Sequence, residues 1–295
     1  MQTADATLFP LNPSLTPLTT IGISKMVAID KTDKSLLFAE NADIEKDGIY
    51  VFDETSRPFS LFPALKLLVA KTLFPADVSI IPTSVIFSPD YKQAIINLKR
   101  GEDTVSYLIS TENETTQLFE VTSSGESLIM AWDTERAKEA ARLLEIFPRA
   151  FQKIASDSFT ILALSPDKTK VLYWGKQEVE LPVVIVPRLL GANQTAEHRK
   201  LTADGLYVYD RKEDRNYKIE GEEQVMWFAD SDHLVASNKH VFEIMDFDGT
   251  NRQVVYSGPH EGSYFDVTSD GKLLILANFN PDFNKKPDLY AVGIK

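Results

Sequence analysis

Short apolar runs alternate with polar turns along almost the whole chain. Residues 224–256 show the unit most clearly. A run Gln224-Val225-Met226-Trp227-Phe228 is followed by the turn Asp230-Ser231-Asp232. Two further runs begin at His233 and Val241, then Asp248-Gly249 makes a tight turn before Arg252-Gln253-Val254-Val255-Tyr256. Runs this short, β-branched and aromatic, and punctuated by Asp-Gly or Ser-Pro-Asp, predict antiparallel hairpins. Four such strands in succession predict one propeller blade.

The unit recurs. Aspartate turns stand at Asp33-Lys34, Ser88-Pro89-Asp90, Ser165-Pro166-Asp167, Asp230-Ser231-Asp232 and Asp270-Gly271-Lys272, each followed by an aromatic-centred strand around Tyr50, Tyr107, Tyr207, Phe242 and Tyr290. The separation ranges from 12 residues (Asp230 to Phe242) to 40 (Asp167 to Tyr207), the behaviour of a repeat with loop insertions. First strands are predicted at residues 23–29, 83–87, 159–164 and 263–267, and fourth strands at 58–62, 116–121 and 215–219. The last unit reaches Lys295 without a fourth strand, and Ala6-Thr7-Leu8-Phe9 is predicted to complete it, pairing the exposed edges at the two chain ends. The expected architecture is all-β: one propeller domain over residues 1–295, with five four-stranded blades closed by the N-terminal strand. Six blades are the alternative, with a degenerate blade in the apolar stretch 62–82.

Two stretches break the pattern. Residues 133–155 read as a helical insertion, with Asp133 as N-cap, Ala137, Ala140, Ala141, Leu144, Phe147, Phe151 and Ile154 at helical spacing, and Pro148 ending or kinking it. The stripe is expected to pack on the propeller rim. Residues 175–204 form the longest insertion, expected to be a flexible or lid-like loop.

Composition changes this picture mainly by exclusion. The 295 residues are 43% hydrophobic and carry a net charge of -12, so a sizeable core is available and nucleic acid is an unfavourable partner. The absence of cysteine removes disulfides, thiolate metal sites and cysteine nucleophiles. No run is long and apolar enough for a bilayer, and Met1-Gln2-Thr3 does not begin a signal peptide; an excised soluble region of a longer protein is expected.

The repeats resemble a known family. Asp246-Phe247-Asp248-Gly249-Thr250-Asn251 is similar to the Asp-x-Asp-Gly-x-Asn segment of TolB-like propeller repeats, and Ser88-Pro89-Asp90 and Ser165-Pro166-Asp167 resemble their Ser-Pro-Asp-Gly-Lys turn. The resemblance runs from Lys31 onward, outside the two insertions. Tyr91 and Lys168 depart from it, standing where the family prefers glycine. Residues 207–214, Tyr-Val-Tyr-Asp-Arg-Lys-Glu-Asp, also resemble propellers of bacterial envelope proteins that carry a PEGA domain and a membrane anchor. That resemblance implies an extracytoplasmic location and a binding or structural role.

Each candidate for chemistry has a simpler reading. The Asp246-x-Asp248-Gly-x-Asn251 spacing matches half of a calcium loop, but Ser257 occupies the position of the bidentate glutamate, which favours a hairpin turn. His198, His233, His240 and His260 show no metal-ligand spacing. Gly125-Glu126-Ser127 begins like a nucleophile elbow but lacks its second glycine, and Ser127 is expected in an ordinary strand. Asp30, Asp90, Asp133, Asp167, Asp230 and Asp266 lie at or after first strands, where paired carboxylates near a channel would serve a glycosidase. The turn position recurs, however, and a recurring residue belongs to the fold. Asn113-Glu114-Thr115 and Asn193-Gln194-Thr195 match glycosylation sequons. The expectation is a monomeric, non-enzymatic module with no cofactor or metal, binding a protein or cell-surface polymer at the channel mouth or through residues 175–204; a propeller-fold glycoside hydrolase is the alternative.

Overall fold

Five four-stranded antiparallel sheets account for nearly all the strands of the computed structural model, which describes residues 14–29, 32–41, 46–54, 64–189, 193–221, 224–238, 241–261, 264–279, 281 and 286–294. Blade 1 comprises Lys25–Ile29, Lys34–Ala39, Gly48–Asp53 and Leu65–Ala70. Blade 2 comprises Ser84–Phe87, Gln93–Arg100, Asp103–Ser110 and Phe119–Glu120. Blade 3 comprises Phe159–Leu164, Lys170–Gly175, Leu206–Asp210 and Arg215–Ile219. Blade 4 comprises Gln224–Trp227, His233–Asn238, Val241–Asp246 and Gln253–Tyr256. Blade 5 joins Phe265–Val267, Lys272–Ala277 and Asp288–Gly293 to Leu15–Pro17, which pairs antiparallel with the third strand. The fold is therefore a β-propeller closed by an N-terminal strand.

Two expected strands are supplied by other segments. Leu15–Pro17 fills the role foreseen for Ala6-Thr7-Leu8-Phe9, which lies outside the described residues. Closure is reinforced by Asp288, whose carboxylate accepts from Thr19 Oγ1 and the Gly22 amide, both at 3.1 Å. The fourth strand of blade 1 is Leu65–Ala70; residues 58–62, where it was expected, lie outside the described residues. Leu65–Ala70 also consumes the stretch that offered a sixth blade, and among the described residues no sixth four-stranded sheet forms.

Alternation along each strand sends successive side chains to opposite neighbours. Leu36 and Phe38 join Ile96 and Tyr107 between blades 1 and 2, while Leu37 joins Leu274 and Leu289 between blades 1 and 5. Equivalent apolar clusters join blades 3 and 4 and blades 4 and 5. Each fully buried residue of this kind stabilises by roughly 1.5–3 kcal/mol, so the ring is held chiefly by these seams.

The recurrent aspartates make the turns between first and second strands. Asp90 Oδ1 accepts from Ser88 Oγ (2.7 Å) and the Lys92 amide (3.2 Å); Asp167 Oδ1 accepts from Ser165 Oγ (2.7 Å) and the Thr169 amide (3.0 Å). The following residue must then take a left-handed backbone, φ 58° at Tyr91 and 59° at Lys168, which explains the family's glycine there. Turns also join neighbouring blades: Ser269 donates to Asp33 through Oγ at 2.6 Å, and the Asp167 amide donates to Ser231 Oγ at 2.9 Å.

The helical insertion is longer than its periodicity predicted. Helix α1 spans Gly125–Leu144 and α2 spans Arg149–Ser158, with Pro148 at the N-cap of α2. Asp133 is thus mid-helix rather than an N-cap, and Ser127 is helical rather than in a strand. The short residues explain the miss: Gly125 and Ser127 are poor helix formers whose local signal reads as turn or strand.

Candidate functional site

Both non-repeating segments converge on blade 3. Leu144, Phe147, Phe151 and Ala155 from the helical insertion share one buried cluster with Leu181 and Leu201 from the second insertion, over Tyr173, Tyr207 and Tyr209 of the blade. Phe151 stacks on Tyr209 with ring centroids 4.3 Å apart. Among the described residues no apolar cluster joins blade 2 directly to blade 3; the insertion packs on blade 3 through α2, and Arg136 of α1 reaches the Phe87 carbonyl of blade 2. The predicted stripe splits accordingly. Its aromatic end packs, while Ala137, Ala140 and Ala141 are exposed.

The second insertion leaves blade 3 at Gly175 and returns at Gly205. It starts tied to α2, with the Lys176 amide donating to the Ser158 carbonyl at 2.8 Å. A two-stranded ribbon, Val179–Glu180 with Lys200–Leu201, then extends from the blade. His198 donates its amide to the Asn216 carbonyl (2.7 Å) and accepts from Asn216 Nδ2 (2.6 Å), so the segment runs as a strap along the outermost strand, Arg215–Ile219, and covers its edge.

One buried residue holds the strap. Asp214 is fully buried with a left-handed backbone, φ 51°. Its Oδ2 accepts from the amides of Val184 (2.7 Å) and Ile185 (2.9 Å), its Oδ1 from Tyr209 OH (3.0 Å), and Arg199 lies 3.2 Å away. Arg188 and Arg199 also donate to the Asp214 carbonyl, and Glu197 pairs with both arginines at 2.6 and 3.0 Å. Further on, Asn193 Nδ2 and Thr195 Oγ1 both donate to Asp248 of blade 4, at 2.6 and 2.7 Å. The segment expected to be a lid is therefore fastened at both ends and across two blades. Residues 183–189 present apolar side chains outward: Val183, Val184, Val186 and Leu189 are exposed, Val186 by 79%.

Two clefts accompany this arrangement. One, of about 440 Å³, lies where the strap returns to blade 3, between Trp174, the Thr202–Leu206 return and Lys218–Gly221. Its wall depends on glycine: a Cβ on Gly175 would stand 2.4 Å from the Thr202 carbonyl oxygen, and one on Gly205 would meet the Tyr207 ring at 2.6 Å. The other, also about 440 Å³, opens between Lys25, Gln224, Glu261 and Tyr264, where the first strands of blades 1, 4 and 5 begin.

The residues singled out by sequence are dispersed. Asp90 and Asp167 are turn-makers; burial raises the Asp167 carboxyl, but the hydrogen bonds from Ser165 and Thr169 outweigh it and hold the group low. Asp133 pairs with Arg136 on the exposed side of α1. Asp230 binds His233 Nδ1 at 2.8 Å, and Asp246 lies 3.5 Å from its Nε2. Asp248 and Asn251 close the blade 4 hairpin, Asp248 accepting from the Thr250 amide and Asn251 donating to Asp246. His260 packs against Phe242, ring centroids 4.7 Å apart, and His198 serves the strap. Asp30 and His240 lie outside the described residues. Asn193 uses its amide nitrogen on Asp248, whereas Asn113 is exposed.

Sequence reasoning missed Glu54. Burial, then the charge of Asp270, with Asp33 and Asp266 against Lys272, pushes its carboxyl up to about 7, and Glu54 Oε2 is buried with no hydrogen-bond partner among the described residues. It follows the third strand of blade 1 at the seam with blade 5. Nothing in its local pattern marks it, because its surroundings come from a blade more than two hundred residues away. Asp214 was equally hidden, read only as the end of a strand-and-turn resemblance.

No protein-family model and no curated protein matches the chain. Among solved structures it is similar to a putative TolB from Agrobacterium tumefaciens (11% identity, TM-score 0.27, covering 90% of this chain and 70% of that one). It is also similar to TolB from Acinetobacter baumannii (11%, 0.25, covering 88% of this chain and 52% of that one). An oligogalacturonate lyase in complex with manganese is comparable (10%, 0.30, 89% and 74%). The chain thus spans about half the length of the Acinetobacter protein. At such identities and scores the likeness carries no argument about activity.

Proposed function

We propose that this chain is a non-enzymatic, monomeric propeller of the bacterial cell envelope that docks a protein partner through the strap on blade 3. One observation carries the reading: the fully buried Asp214 fixes a segment whose outward side chains, Val183, Val184, Val186 and Leu189, are apolar and exposed. Exposed apolar side chains on a pre-ordered backbone favour association, because little conformational entropy is lost on binding. The envelope location rests on the resemblance of residues 207–214 to anchored envelope propellers. No helix among the described residues is long and apolar enough to cross a membrane.

The test compares wild type, the double variant Val184→Asp/Val186→Asp, and Phe119→Asp, which alters an exposed aromatic on blade 2. Quantitative affinity enrichment from envelope extract is expected to yield a protein retained by wild type and Phe119→Asp and lost with the double variant. Equal retention by all three contradicts docking through the strap. A surface-polymer partner is the competing outcome, read as retention of glycan in place of protein.

Glu54 favours a second reading. A carboxyl held near pH 7 beside other carboxylates is suited to general acid catalysis, as the glycoside-hydrolase alternative requires. Release of reducing sugar from envelope polysaccharides that disappears in Glu54→Gln would establish it; no release by wild type would remove it.

A further inference from the structure

We infer that the cleft beside Trp174 is a subsite for a neutral pyranose unit of a glycan, separate from the strap ridge. There an aromatic side chain, fixed backbone and exposed carboxylates face one cavity.

Trp174 belongs to the second strand of blade 3, paired with Thr160 on one side and Leu206 on the other. Its ring is half-buried and packs against the cluster between blades 3 and 4, which sets its orientation. Its indole N–H donates to no described residue and is available to a ligand. A rigid indole offers an apolar face to the C–H side of a sugar and a donor at its edge. The cavity, about 440 Å³, falls within the roughly 300–1,000 Å³ of small-ligand sites.

The polar groups select the ligand class. Asp204 is exposed at a left-handed corner, φ 57°, held by its amide bond to the Gly175 carbonyl at 2.9 Å. Across the cleft Lys218 and Glu220 form an ion pair at 2.7 Å, so their charges cancel and Asp204 leaves the site net negative. Phosphate, uronate and other anionic ligands are disfavoured by that charge. Hydroxyl groups are favoured, since each carboxylate accepts them in charge-assisted hydrogen bonds. An aromatic side chain ringed by hydroxyl-binding groups is the recognition chemistry of a neutral sugar.

The test is titration of the full chain with neutral tetrasaccharides of the gluco, manno, galacto and N-acetylgluco series, read by tryptophan fluorescence and saturation-transfer NMR. At least one is expected to bind. Trp174→Ala should weaken it by about ten-fold or more, and Asp204→Asn by about five-fold, with the Asp204→Asn fold intact because asparagine tolerates the left-handed corner. Val186→Asp should leave sugar affinity unchanged, which separates this site from the strap. Absence of binding across the panel, or unchanged affinity in both Trp174→Ala and Asp204→Asn, overturns the inference. Tighter binding of an acidic tetrasaccharide than of its neutral counterpart overturns the choice of class.

Discussion

Arg199 of the strap lies 3.2 Å from the carboxylate of Asp214, in a corner where the aspartate is fully buried and the arginine side chain only one-tenth exposed. Paired charges of this kind are fixed by geometry, because either one left alone in the same place would be costly.

Asp214→Ala therefore removes the acceptor of two backbone amides and the partner of two arginines. A loss of about 3–5 kcal/mol is expected in chemical denaturation, the cost typical of breaking a buried pair. Hydrogen exchange at Val184 and Ile185 should rise before the rest of blade 3 unfolds. If those amides stay protected in the variant, Asp214 does not hold the strap.

Phe151→Ala opens a cavity beneath Tyr209 and removes the ring stack at the centre of the apolar contact between the helical insertion and blade 3. The expected destabilisation is about 3–5 kcal/mol. Because the insertion meets blade 3 through α2 and blade 2 through Arg136 of α1, exchange should increase in Phe159–Leu164 and in Ser84–Phe87 together. An increase confined to α2 would show that the insertion does not join blades 2 and 3.

His233 occupies the start of the second strand, where Lys34, Lys170 and Lys272 stand in blades 1, 3 and 5. The hydrogen bond to Asp230, against partial desolvation, and the charges of Asp230, Asp246 and Asp232 raise its pKa in the fold. A raised histidine adds stability that is fully present below its unfolded pKa of about 6.5 and lost as pH rises through the folded value. Thermal unfolding should therefore come earlier at pH 8 than at pH 6, and His233→Lys should flatten that difference.

Glu54 acts in the same direction at lower pH. Its carboxyl, raised from 4.5 to about 7, is better accommodated protonated, so its contribution to stability is lost as pH rises between those values. Glu54→Gln should raise the melting temperature at pH 8 and leave it unchanged at pH 4. A lower melting temperature at pH 8 would show that the ionised group has a partner that stabilises it.

Much of the fold was legible because a blade is local. The order Gln224–Trp227, His233–Asn238, Val241–Asp246, Gln253–Tyr256 follows directly from alternating runs and aspartate turns, and Tyr91 and Lys168 marked the left-handed corners by standing where glycine is preferred. The helix boundary was not legible, since Gly125 and Ser127 carry no helical signal and the exposed face of α1 gives little apolar periodicity. The site was legible only as a location. Residues 175–204 stood out as non-repeating, but their fastening depends on Asp214 and Asp248, each an ordinary turn aspartate in sequence whose partners arrive from 15 to 55 positions away.

Whether the strap meets a protein partner can be read by placing a photo-crosslinking amino acid at Val186, and separately at Met130 on α1, in the full-length protein expressed in its own cells. One defined protein adduct is expected from position 186 and none from position 130. Adducts of equal yield from both positions, or an adduct from position 130 alone, would contradict it.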